Sequence, residues 1–109
     1  MKRATIIKEI ERKMKEQEVI DKLSRTFNIL GDPTRARMIF ALSKAELCVA
    51  ELASIINVSH SAISHQMRPL KDLDLVEYRK DGKKAYYSLK DEHIENLFEE
   101  GLKHVLEKL

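Results

Sequence analysis

The stretch that decides the fold runs from Ala50 to Leu89 and reads AELASIINVSHSAISHQMRPLKDLDLVEYRKDGKKAYYSL. Its first part, Ala50 to Ile56, carries Leu52, Ile55 and Ile56 on one helical face. Asn57-Val58-Ser59 reads as a tight turn, with Ser59 placed to cap the next helix. That helix is predicted from His60 to about Leu73, with Ile63, Met67 and Leu70 turned inward. Helix, short turn and helix over 50–73 make a helix-turn-helix. Pro69 lacks an N–H and clashes with the carbonyl four residues back, so the helix is expected to bend or end near Arg68. Two strand-like runs follow, Leu75 to Arg79 and Lys83 to Leu89. Lys80-Asp81-Gly82 joins them, and Asp-Gly is a hairpin turn signal. The fold expected is mainly α with a small β-hairpin: a winged helix-turn-helix with its wing at 75–89.

Working outward, Glu46 to Val49 reads as a short extended piece. Asp32-Pro33, an N-cap residue followed by proline at the first helical position, opens a short helix carrying Met38, Ile39, Ala41 and Leu42. Ahead of it, Ile6, Ile7, Ile10 and Met14 recur at helical spacing, and so do Val19, Ile20, Leu23, Phe27 and Leu30. The period restarts around Gln17 and Glu18, so residues 1–30 read as two helices or one bent helix, stopped at Gly31 acting as a C′ residue. The last helix, 91–109, has an apolar stripe of Ile94, Leu97, Phe98, Leu102, Val105, Leu106 and Leu109. That stripe is too long to be covered within one small domain. It predicts a homodimer through the terminal helices, with residues 1–30 alongside.

The 109 residues are one domain's worth. A single cysteine rules out a disulfide framework within one subunit, and no apolar run approaches the roughly 20 residues of a membrane span. The N-terminus, MKRATIIKEIERK, has no signal-peptide core, so a cytoplasmic location without membrane contact is expected. Ser64 and His65 are neighbours that point apart on a helix, so they form no nucleophile–base pair. No glycine-rich phosphate loop is present, and neither an enzyme nor a small-molecule substrate is expected.

Charge gives the positive indication. Residues 59–90 carry +3, and Arg79, Lys80, Lys83 and Lys84 crowd the hairpin turn, whereas residues 91–109 carry −4. A basic hairpin beside a helix-turn-helix is the footprint of a protein that binds double-stranded DNA. His60, Ser61, Ser64, His65 and Arg68 share the helix face opposite Ile63, Met67 and Leu70, where they can reach base edges or phosphates. Arg79, Lys80, Lys83 and Lys84 would run along the DNA backbone.

Glu46 to Leu52, Ser59 to Gln66 and Val76 to Tyr87 together resemble the ArsR/SmtB metal-sensing repressors. The likeness runs from about Phe27 to the C-terminus. It implies a homodimeric winged helix that sits on an operator and leaves it when an inducer metal binds. Asp91-x-His93 and His104-x-x-Glu107 resemble that family's zinc site on the C-terminal helix.

The geometry of this site can also be argued from the spacing. His93 and His104 stand about 16–17 Å apart along a helix, too far for two ligands about 2 Å from one zinc. At about 100° per residue, however, His93, His104 and Glu107 fall within a stripe about 60° wide. Two copies crossing antiparallel near Phe98 and Glu99 would bring residue 93 of one to residue 104 of the other. Each of two equivalent sites would then hold zinc, with cobalt or nickel as alternative inducers, through Asp91, His93, His104 and Glu107. The plain alternative is that Asp91 is an N-cap and the histidines flank a dimer seam.

The family's cysteine site takes two thiols from the strand before the helix-turn-helix and others from the N-terminal arm. Cys48 matches the first, Ala50 stands in place of the second, and the arm has none. Cys48 therefore reads as a small buried hydrophobe. The rival function is a winged-helix regulator independent of metal, controlled through redox at Cys48 or by a protein partner.

Overall fold

The computed structural model describes residues 2–14 and 17–109. The element order is α1 (Arg3–Met14), α2 (Gln17–Leu30), α3 (Pro33–Lys44), β1 (Leu47–Cys48), α4 (Val49–Ile56), α5 (His60–Asp72), β2 (Val76–Asp81), β3 (Lys84–Leu89) and α6 (Glu92–Lys108). The restart expected around Gln17 and Glu18 coincides with the start of α2, and residues 15–16, where a bend or break would fall, lie outside the described residues.

The local signals explain most of the boundaries. Asp32 caps α3 by accepting from the Arg35 N–H, and Pro33 fills the first turn, where its missing N–H costs nothing. α4 ends on Asn57, whose φ of 65° is the left-handed conformation that asparagine tolerates. The Ser59 hydroxyl accepts from the Ala62 N–H at 3.1 Å and starts α5. Four expectations need correction. Gly31 does not have the positive φ of a left-handed cap; the chain turns directly into the Asp32-Pro33 start. The hairpin loop is Gly82-Lys83, because Asp81 still pairs with Lys84, and the positive φ falls on Gly82 alone. Glycine at the first of two loop positions is what a type II′ turn requires. The Glu46–Val49 piece is extended only at Leu47–Cys48, and this strand joins the hairpin, so the sheet has three strands in the order β1-β3-β2.

The fourth concerns Pro69: of the bend or end expected near Arg68, the end does not occur, and α5 continues to Asp72. Met67 and Leu70 on either side of the proline are fully packed. His65, whose carbonyl loses its helical donor, is an exposed residue.

Ile63, Met67 and Leu70 of α5 meet Met38, Ile39 and Leu42 of α3 and Leu52 of α4, and Tyr87 closes the core from the sheet. This packing fixes α5 with one face inward and the other open. Arg35 ties the assembly from outside: its Nε donates to the Ile29 carbonyl at 2.8 Å and its Nη1 to Gln66 Oε1 at 2.7 Å. One guanidinium thus joins the end of α2 to the middle of α5.

Candidate nucleic-acid interface and metal site

The open face of α5 carries His60, Ser61, Ser64, His65 and Arg68, all exposed. They are presented because the core residues occupy the opposite face at helical spacing. The Ser61 hydroxyl lies 3.1 Å from that of Ser59. Lys80, Lys83 and Lys84 are exposed along the wing, and among the described residues neither they nor Arg68 make an ion pair. These cations remain available to an anionic partner.

Arg79 is placed differently. Its Nε lies 2.9 and 3.1 Å from the two carboxylate oxygens of Glu46, and its Nη2 is 2.9 Å from Glu46 Oε1. The guanidinium also covers the Tyr86 ring at 5.2 Å. The Glu46 carboxylate holds the Arg79 pKa above its ordinary value. Lys71, near the end of α5, sits over the rings of Tyr78 and Tyr87 at 5.7 and 5.5 Å. Sequence reasoning missed Glu46, Gln66 and Lys71. Glu46 and Arg79 are 33 residues apart, and no local pattern joins them. Gln66 directly follows the Ser-His pair and lies between the buried and exposed faces of α5, which is the signal that was there to be used.

On α6, Asp91 is the N-cap, its Oδ1 accepting from the His93 N–H at 2.9 Å. The same oxygen lies 3.3 Å from His93 Nδ1. Capping and metal ligation are compatible, since Oδ2 takes no hydrogen bond among the described residues. His93, His104 and Glu107 are all exposed, while Ile94, Phe98 and Leu102 form the partly buried face toward the core. The donor stripe therefore faces away from its own subunit. Among the described residues no three histidine, cysteine, aspartate or glutamate side chains converge on one point. Two imidazoles and two carboxylates suit zinc chemically, but one chain brings only the Asp91–His93 half together. Cys48 is buried, at 3% exposure, and is a free thiol.

With this geometry in view, the comparisons with known proteins are specific. Residues 32–78 match the family described as bacterial regulatory protein, arsR family. Over 101 residues the chain is 39% identical to the transcriptional repressor SmtB homolog of Synechocystis sp., covering 93% of this chain and 76% of that protein. The chain belongs to the arsR family. This family consists of DNA-binding transcriptional regulators, so this member is a regulator and not an enzyme. A second arsR-family relative is the cadmium resistance transcriptional regulatory protein CadC homolog of Staphylococcus aureus, 43% identical over 83 residues, covering 75% of this chain and 69% of that one. Among solved structures, the homodimeric winged helix-turn-helix DNA-binding domain of a possible ArsR-family regulator from Mycobacterium bovis superposes with a TM-score of 0.74. It is 25% identical and the match covers 85% of this chain and 84% of that one. The winged helix-turn-helix expected from residues 50–89 is thus the fold of this arsR-family chain.

Proposed function

We propose that this arsR-family chain is a homodimeric repressor of transcription that zinc releases from its operator. Each subunit offers His60, Ser61, Ser64, His65 and Arg68 of α5 to the major groove, and Lys80, Lys83 and Lys84 of the wing to the phosphate backbone. Its place of action is the cytoplasm, with the operator.

The observation that carries the metal reading is the outward stripe of α6, where exposed imidazoles and a carboxylate face away from the core. Asp91 and His93 of one subunit with the partner's His104 and Glu107 supply four nitrogen and oxygen donors. Cobalt and nickel are the alternative inducers for such a set. Dimerisation is supported by the similar M. bovis domain, described as homodimeric, and by the apolar residues left exposed on the terminal helices. Residues 1–30 and 91–109 supply the dimer contacts. Similarity to a transcriptional repressor and to a cadmium resistance regulator supports repression and metal response, and Cys48 as the single thiol favours nitrogen and oxygen ligands here. Joining the start of one α6 to the end of its partner fixes the crossing of the dimer. That crossing sets the separation of the two α5 helices, which must match half-sites about one DNA turn apart.

Titration of labelled operator at fixed salt, with and without one zinc per subunit, tests the proposal. Affinity should fall by about 5- to 150-fold with zinc, the range of a typical allosteric coupling. Equal affinity in both conditions overturns the sensor reading.

A further inference from the structure

The hairpin is braced on both of its faces, in two successive rows. Cys48 pairs with Tyr86 and Tyr86 with Arg79, so these three side chains share one face of the sheet. Leu47, Tyr87 and Tyr78 line up in the same way on the other. On the first face Arg79 crosses the Tyr86 ring and closes on Glu46, just ahead of β1. On the second, Lys71 of α5 lies against Tyr78 and Tyr87, whose ring centroids are 5.5 Å apart. The Arg79–Tyr86 row is also the last with three strands. Beyond it lie only the pairs Lys80–Ala85 and Asp81–Lys84 and the tip. A two-stranded hairpin holds its own direction poorly. The direction of the lysine-bearing tip is therefore set at this row.

We propose that Arg79 and Glu46 are positioning residues that aim the wing, and that Arg79 is not a phosphate contact. The planar guanidinium already spends Nε and Nη2 on the Glu46 carboxylate, with Nη1 3.9 Å from Asp81. Its fork geometry suits that carboxylate, and reaching a phosphate means abandoning it. This inference rests on the reading of α5 and the wing as the DNA interface.

The sign of one substitution separates the alternatives. If Arg79 touches phosphate, Glu46→Gln removes a competing negative charge and frees the guanidinium, so operator binding tightens. If the pair aims the wing, the same substitution weakens binding although the protein becomes more positive. The expected loss is roughly two- to fivefold, the scale of one exposed ion pair. The double variant Glu46→Gln with Arg79→Gln should bind no more weakly than Arg79→Gln alone. Amide hydrogen exchange on the free protein supplies a readout that needs no DNA: residues 80–85 should exchange faster in either single variant. Tighter binding by Glu46→Gln, or unchanged exchange at 80–85 in both variants, overturns the proposal. Failure of the DNA reading itself shows differently, as a wild-type protein without operator affinity, and exchange still decides whether the brace exists.

Discussion

Ser59 caps α5 through the Ala62 N–H, so Ser59→Ala should lower stability by about 1 kcal/mol in urea unfolding. Ser64 and His65 are exposed and outside the capping network, so their alanine variants should unfold like wild type. The same variants should weaken operator binding while leaving zinc affinity unchanged; intact operator affinity would remove them from the interface. Glu51 gives a pH signature. Its carboxylate accepts from the Cys48 N–H at 3.0 Å, and that bond, the Cys48 side chain and Lys84 lower its pKa below the ordinary 4.5. A lowered folded pKa means stabilisation that is complete above pH 4.5 and is lost as pH falls through the folded value. The stability gap between wild type and Glu51→Gln should therefore narrow on acidification below pH 4.5, and a gap that is flat with pH would contradict the assignment.

At the scale of elements, what the sequence made legible was whatever is encoded locally. Apolar spacing located the helices, Ser59 and Asp32 located two of their starts, and the alternation and Asp-Gly signal located the wing. Features that depend on contacts between distant segments were not legible. Leu47–Cys48 becomes a strand because Tyr86 and Tyr87 lie beside it, and Arg79 reaches Glu46 across the sheet. The α6 donors could be listed from spacing, but their orientation needed the packing of Ile94 and Phe98 against the core. Pro69 does not end α5, and the fully packed Met67 and Leu70 stand on either side of it. Pro69→Ala supplies the missing N–H to the His65 carbonyl and should stabilise the protein, by at most about 3 kcal/mol in denaturant unfolding. Operator affinity should not change, since α5 already runs through the position. A loss of stability would mean instead that the ring's packing in the cleft with Ile29 and Leu73 outweighs the restored bond.

At the scale of the whole molecule, one subunit is incomplete. Its radius of gyration is 17.5 Å, against roughly 13 Å for a compact chain of this length. None of the described residues in α1, α2 or α6 is buried, and Ile7, Ile10, Leu23, Phe27, Leu97 and Val105 lie open to solvent. Sedimentation at micromolar concentration should give twice the 12.7 kDa of the chain, and a monomer that binds zinc tightly would overturn both the dimer and the shared site. A sharper test uses the two-fold symmetry. If each site takes residue 93 from one subunit and residue 104 from its mate, His93→Ala and His104→Ala each damage both sites of a homodimer. In a mixed dimer of the two variants both lesions fall in the same site. The other site keeps His93 from the His104→Ala chain and His104 from the His93→Ala chain, and is intact. Unfolding and refolding the variants together should therefore restore tight zinc binding, one ion per mixed dimer, that neither variant shows alone. Ligands drawn from a single subunit would give no such rescue, so a mixture that binds no more zinc than its components would refute the crossing of the two α6 helices.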